Sequence, residues 1–243
     1  MEKPAYYPFK IRAIEIDHKQ RLSIPALTNM LQQAAWQHAT QLGVSTYSLM
    51  EEGLTWVLSR FKVQIDHSLK HLQEVNVKTW PAGAEGLRAY RGFQLLKPDG
   101  NILATAESVW LIVDMKKKQV QPIPEFIKKF KTDPKEGDFH FSNSIPELTK
   151  VDYTYETKAG WFDLDINKHV NNNHYIKWLT ESFPYDFLNT HQLHKLEIVY
   201  TAECFYNDNI EAKTQSTGNG EFIHSLVKNG STELIRATSS WID

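Results

Sequence analysis

The sequence repeats itself, and an internal duplication constrains a fold more than any other feature, because each copy must form the same unit and bury the same face. The stretch Val75–Thr79 followed by Arg91–Trp110 matches Ile210–Thr214 followed by His224–Trp241. Each copy reads as three strands in a meander: apolar and polar residues alternate with period two, and Pro98-Asp99-Gly100-Asn101 and Asn229-Gly230-Ser231 carry the chemistry of tight turns. Upstream of each meander the spacing predicts a strand, a helix and a long strand. In the first copy these are a strand from Phe9 to Asp17, a helix capped by Ser23 with Pro25 in its first turn, and a strand from Thr55 to Ile65. The helix has Leu27, Met30, Leu31, Ala34, Ala35, His38 and Leu42 on one face, and Gly43 ends it. In the second copy the strand is Val151 to Thr157 and the helix opens in Asn171-Asn172-Asn173 with Tyr175, Trp178 and Leu179 as its buried stripe. The long strand there runs from Leu193 to Phe205.

One β-α-β-β-β-β unit thus occurs twice, joined by the proline- and lysine-rich segment from Asp114 to Lys150. The predicted class is α+β, a tandem (double) hotdog in which antiparallel sheet wraps around central helices. We take residues 1–130 as the N-terminal half, 131–150 as the linker and 151–243 as the C-terminal half. The alternative is one α+β domain whose strands resemble each other only through β-propensity.

Composition narrows the chemistry. The 27 basic and 29 acidic residues give a net charge of −2, so no global field attracts nucleic acid. The single cysteine, Cys204, excludes an intramolecular disulfide and any multi-cysteine metal site, which fits a reducing compartment. The longest apolar run, Val109 to Val113, falls far short of the ~20 residues that a bilayer requires. Met1–Tyr7 shows neither an apolar signal core nor an Arg/Ser-rich transit segment, which leads us to expect a cytoplasmic protein.

The densest polar cluster is Asp163-Leu164-Asp165-Ile166-Asn167-Lys168-His169-Val170-Asn171-Asn172-Asn173-His174-Tyr175, running into a helix start. Free N–H groups and the partial positive charge at such a terminus favour negative charge developing on a carbonyl oxygen, which suits acyl transfer. Asp165, Asn167 and His169 alternate, so in an extended segment all three would point to one side and converge on one substrate atom. The other reading stays open: the asparagines supply turn and capping groups, and His169 is a solvated loop histidine.

This string, followed by Tyr175-Ile176-Lys177-Trp178, resembles the signature of the acyl-acyl carrier protein thioesterases of plastids and bacteria. Thr55–Arg60 resembles that family's first-half motif, Ala106–Trp110 its first-half closing strand, and Leu196–Cys204 its late strand, in family order over nearly the whole chain. The resemblance implies a tandem hotdog of bacterial type that hydrolyses the thioester between a fatty acyl chain and the phosphopantetheine of acyl carrier protein. It implies no cofactor and no metal, an acyl carrier protein as partner, and leaves a homodimer open. Carried over by position, the family's Asp-x-Asn-x-His falls on Asp165, Asn167 and His169, and its Glu-Cys pair on Glu203 and Cys204. Strand neighbours face opposite sides, so only one of that pair can address the thioester unless a bulge intervenes. Cysteine is often buried for packing alone, and we expect Glu203 to be catalytic, with Cys204 the less favoured nucleophile. Glu203, or His169 acting with it, would take a proton from water. Asn167 and His169 would position the water or carbonyl, Asp165 would orient its neighbours, and N–H groups near Asn172 to Tyr175 would hold the oxyanion.

Remaining candidates are weaker. At the corresponding point the first copy reads Asp17-His18-Lys19-Gln20-Arg21, so catalysis is expected in one copy only. In the family the other half holds the acyl chain, and here Leu27, Met30, Leu31 and Ala34 become the pocket candidates, with plain core as the alternative. Lys116, Lys117 and Lys118, with Lys128, Lys129 and Lys131, form a basic run that could steer an acidic carrier or be a solvated linker. His67 with His71, and His191 with His194, lack a third metal ligand. Gly218-Asn219-Gly220 reads as a hairpin turn rather than a phosphate loop. Rival functions are an acyl-CoA or aryl-CoA thioesterase, a hotdog dehydratase or hydratase, and a non-catalytic acyl-binding regulator. The regulator would want a DNA-binding element for which neither terminus has residues to spare.

Overall fold

A computed structural model of the chain describes residues 3–131 and 141–243; of the linker expected at 131–150, residues 132–140 lie outside the described residues. The chain divides into two compact units, Met1–His140 and Phe141–Asp243. In the first, β1 (Ala5–Lys10) leads through a 3-10 turn into α1 (Ile24–Gln41) and α2 (Thr46–Glu51). Strands β2 (Leu54–Ile65), β3 (Glu74–Glu85), β4 (Arg88–Leu96) and β5 (Ile102–Asp114) follow, then β6 (Gln119–Gln121) and α3 (Glu125–Lys128). In the second, β7 (Tyr153–Lys158) leads through a 3-10 turn into α4 (Asn172–Glu181) and α5 (Tyr185–Thr190). The unit ends with β8 (Gln192–Tyr200), β9 (Asn209–Gly218), β10 (Glu221–Lys228) and β11 (Thr232–Ile242).

The two units have the same antiparallel strand order: β1-β3-β4-β5-β2 in the first and β7-β9-β10-β11-β8 in the second. Registers agree as well, since Ala5 opposes Thr79 where Tyr153 opposes Thr214. In each unit a helix lies on this sheet, α1 on β3 and β1, α4 on β7, β9 and β10. The tandem hotdog expected from the repeat is the observed architecture. Two of the hairpins are closed by asparagine–glycine pairs: Asn219-Gly220 and Asn229-Gly230 both hold positive φ at the two central positions, which matches the twist of the flanking strands.

Helix α1 starts where Ser23 accepts the Ala26 N–H at 3.3 Å, and it stops just before Gly43 at φ +71°. Its buried face includes Leu27, Met30, Leu31, Ala34, Ala35 and His38, matching the periodicity. The second-unit helix is interrupted. Pro184 removes a backbone donor and separates α4 from α5, while Ser182 sends its hydroxyl to Leu179 O at 2.7 Å.

Two strands end earlier than alternation predicts. The strand expected from Phe9 to Asp17 stops at Lys10, where the Glu15 carboxylate accepts the Arg12 N–H at 2.7 Å and closes a turn. The strand expected from Leu193 to Phe205 stops at Tyr200. Thr201 and Ala202 both direct their N–H groups to Leu234 O, at 2.9 and 3.3 Å, so two residues share one acceptor and the ladder breaks. Glu203 and Cys204 therefore sit on a loop.

Candidate active site

The polar cluster is a tight loop rather than an extended segment. Asp165 N–H donates to His169 O at 2.7 Å, and Asp165 Oδ1 accepts the N–H groups of Asn167 and His169 at 2.8 and 3.2 Å. Lys168 takes φ +63° to complete the reversal. Asp165, Asn167 and His169 thus do not point to one side of a strand as expected. The Asp165 carboxylate instead spends its lone pairs on the backbone that displays the other two.

The first unit builds the same loop. Asp17 Oδ1 accepts the N–H groups of Lys19 and Arg21, both at 2.9 Å, Asp17 N–H donates to Arg21 O at 2.8 Å, and Gln20 holds φ +62°. The loops differ in what they display. Arg21 folds back on Asp17, Nε to Oδ2 at 2.8 Å, in the place His169 takes in the second unit. The shorter imidazole of His169 instead lies with Nδ1 3.5 Å from Glu203 Oε1, its ring edge-on to Phe205 with centroids 5.0 Å apart. The Glu203 side chain is half exposed, at 49%, and that of His169 is at 24%. Asn167 Oδ1 is buried without a hydrogen-bond partner, an acceptor available to a bound donor.

Cys204 is fully buried. Val170 N–H donates to Cys204 O at 2.8 Å as Leu22 N–H donates to Leu69 O at 3.0 Å, so the thiol fills a core position held by a leucine in the first unit. Burial, then the nearby Asp208 carboxylate, pushes its pKa up to about 12. A nucleophilic cysteine acts as thiolate, which this environment disfavours. The helix start is engaged too: Asn171 Oδ1 accepts the Asn173 N–H at 3.0 Å and Asn171 O the His174 N–H at 2.9 Å. Those two groups, of the N–H groups near Asn172 to Tyr175 expected to hold an oxyanion, are not aimed at a ligand.

Of the other candidates, Leu27, Met30, Leu31 and Ala34 are core residues of the first unit, none more than 3% exposed. Lys116, Lys117 and Lys118 form the turn between β5 and β6. Asp114 Oδ1 accepts the Lys116 and Lys117 N–H groups at 2.9 and 2.8 Å there, and Asp114 Oδ2 lies 3.8 Å from Lys117 Nζ. Among the described residues no group of three or more histidine, cysteine, aspartate or glutamate side chains is placed to hold a metal.

Sequence profiles for the acyl-ACP thioesterase N-terminal domain and C-terminal domain match residues 5–130 and 147–243. The chain belongs to the acyl-ACP thioesterase family. A palmitoyl-acyl carrier protein thioesterase of Gossypium hirsutum is 31% identical over 96% of this chain and 62% of its own length. An acyl-[acyl-carrier-protein] hydrolase of Cuphea viscosissima is 30% identical over 96% and 61%. This family member therefore spans about three fifths of the length of those plant relatives. An acyl-ACP thioesterase from Bacteroides thetaiotaomicron superposes with a TM-score of 0.89 at 26% identity, covering 98% of both chains. The 12:0-ACP thioesterase from Umbellularia californica matches at 0.84 and 23%, over 98% and 97%, a likeness of fold. No helix among the described residues is long and apolar enough to cross a membrane.

Three neighbours of the site escaped the sequence reading. Tyr175, whose hydroxyl was given no role, accepts the Cys204 N–H on that hydroxyl at 3.1 Å and so fixes the loop bearing Glu203. Asp163 reaches His174, Oδ1 to Nδ1 at 3.1 Å, while its Oδ2 accepts the Gly160 N–H at 2.7 Å. Phe205 walls the His169 ring. A signal existed for Tyr175, because a tyrosine on a buried helix face needs a partner for its hydroxyl.

Proposed function

We propose that this acyl-ACP thioesterase family member hydrolyses fatty acyl-acyl carrier protein to free fatty acid and carrier protein, with Glu203 and His169 as the proton-handling pair. The observation that carries this reading is the 3.5 Å approach of His169 Nδ1 to Glu203 Oε1 beside a cysteine whose thiol is buried. In the proposed reaction the pair removes a proton from water as its oxygen bonds to the thioester carbon. The tetrahedral oxyanion then collapses, the C–S bond breaks, and the phosphopantetheine sulfur leaves with a proton returned by His169. Asn167, with its unpartnered Oδ1, accepts a hydrogen bond from that water or from a substrate amide. Asp165 acts as a positioning residue through the two N–H groups that it holds.

In the same reading the acyl chain reaches the α1 face of Leu27, Met30, Leu31 and Ala34 only by displacing side chains packed against it, since all four are buried. Lys116, Lys117 and Lys118 add long-range attraction for an acidic carrier. A cytoplasmic location is supported by the sequence having a single cysteine, which leaves no intramolecular disulfide to form.

The test measures thiol and fatty acid released from matched acyl groups on carrier protein and on coenzyme A. His169→Ala and Glu203→Gln should each lower kcat by about 10²- to 10⁴-fold, the range for losing a general base. Cys204→Ala should cost less than about tenfold in kcat, and a loss equal to that of His169→Ala would overturn the assignment. Coenzyme A thioesters turned over as fast as carrier thioesters would change the substrate class.

A further inference from the structure

The two copies of the site loop share their hydrogen bonds but not their surface, and this contrast points to a binding face. Trp161, Phe162 and Ile166 of the second unit are 72, 93 and 57% exposed. At the equivalent places the first unit has Ala13, Ile14, itself 84% exposed, and His18 around an identically bonded turn. The loop therefore closes without the two aromatic rings, and folding does not explain them. Phe162 and Trp161 are the two most exposed large apolar side chains of their unit among the described residues. A ring of this kind covers about 150–250 Å² when buried, so leaving both in water forgoes substantial stabilisation. Tyr206, 58% exposed, extends the patch from the loop bearing Glu203, next to the Phe205 ring that walls His169.

Positive charge accompanies the apolar surface. Lys168 is exposed between Asn167 and His169, and Lys177 is exposed on α4, three residues from His174, which is partly buried and pairs with Asp163 next to Phe162. Neither lysine has an ion-pair partner among the described residues. Exposed aromatics beside unpaired cations, continuous with the residues that would do the chemistry, suit an acidic protein surface with an apolar centre.

We propose that the face formed by Trp161, Phe162, Ile166, Tyr206, Lys168 and Lys177 is where the acidic carrier protein docks. The inference rests on the thioesterase reading above. It places the carrier against the site loops themselves and leaves Lys116–Lys118 as a source of attraction only.

The first unit supplies substitutions that the loop accepts: Trp161→Ala and Lys168→Gln introduce residues found at the corresponding positions, including one at positive φ. The full chain is assayed with an acyl carrier substrate and with the same acyl group on pantetheine. Wild-type turnover of the carrier substrate tests the thioesterase reading separately. The double variant should raise KM for the carrier substrate by about tenfold or more, equivalent to ~1.4 kcal/mol, while kcat/KM on acyl-pantetheine stays within about twofold. An unchanged KM for the carrier, or equal losses on both substrates, would overturn the proposal. So would a wild-type dimer that the substitutions dissociate, which would assign the face to a second copy, or retention of the wild type on anionic vesicles lost in the variant, which would assign it to lipid.

Discussion

His224, on β10, is enclosed by side chains whose proton positions can be worked out. Ser182 donates its hydroxyl proton to Leu179 O at 2.7 Å, so Thr214 must donate to Ser182 Oγ, also at 2.7 Å. Thr214 Oγ1 then accepts from His224 Nδ1–H at 2.7 Å, and His224 Nε2 accepts from Ser239, which in turn accepts from Trp241 Nε1–H. Every member is satisfied only while the ring is neutral. Burial lowers its pKa from 6.5 to about 3. The unfolded chain takes up this proton below about pH 6.5 and the folded chain does not until about pH 3, so stability present above 6.5 is lost as pH falls through that window. The slope from this one group is at most about 1.4 kcal/mol per pH unit. Urea midpoints measured from pH 7 to pH 4 should fall less steeply in His224→Gln than in the wild type; parallel curves would refute this. At the site, Asp165→Asn keeps an oxygen able to accept the two N–H groups and should retain most activity. Asp165→Ala, in contrast, should lose kcat and about 1–3 kcal/mol of stability together, read by kinetics and urea melts. Side-chain chemistry at Asp165, Asn167 and His169 was legible from the sequence. The turn that displays them was not, because nothing in a lysine announces the left-handed backbone that Lys168 adopts.

Caps and period were the legible part of the elements. Ser23 and Asn171 both accept a first-turn N–H, and Asn171→Ala should cost about 0.5–2 kcal/mol, measured as a lowered urea midpoint at unchanged m. Element ends were less legible where a tertiary acceptor decides them, as at Leu234 O, which draws Thr201 and Ala202 out of register. The interruption between α4 and α5 places Phe183 in a cluster with Phe187, Phe222 and Trp241, ring centroids 4.7–4.9 Å away. Phe183→Ala should therefore cost about 3–5 kcal/mol in the same measurement. Gly92, inside β4, is required by packing: a Cβ there would sit 2.4 Å from the Trp80 ring. Gly92→Ala should destabilise by about 1–3 kcal/mol, and a neutral result would mean that the indole can move aside.

For the whole molecule, the net charge of −2 gives no overall attraction to an acidic partner, so attraction must come from local patches. Such patches are screened over a Debye length of about 10 Å at 0.1 M salt. Raising ionic strength should lower kcat/KM for an acyl carrier substrate severalfold while leaving acyl-pantetheine nearly unaffected. A flat response for both would remove electrostatics from carrier capture. The duplication also gives each unit a comparison with itself. Equal strand order and equal loop bonding separate what the fold needs from what only the second unit displays, namely His169, Glu203 and the exposed Trp161 and Phe162.

The sequence alone determined the duplication, the antiparallel α+β class, the helix starts and the polar string that identifies the family, because all of these are written in local period, caps and residue order. Which side chains meet was decided by tertiary structure. Alternation cannot say that a strand ends three residues before Glu203, that a loop turns its carboxylate toward His169, or that Cys204 occupies a leucine's place in the core. Those outcomes depend on acceptors and packing partners tens of residues away, whose positions exist only once the sheet has closed over its helix.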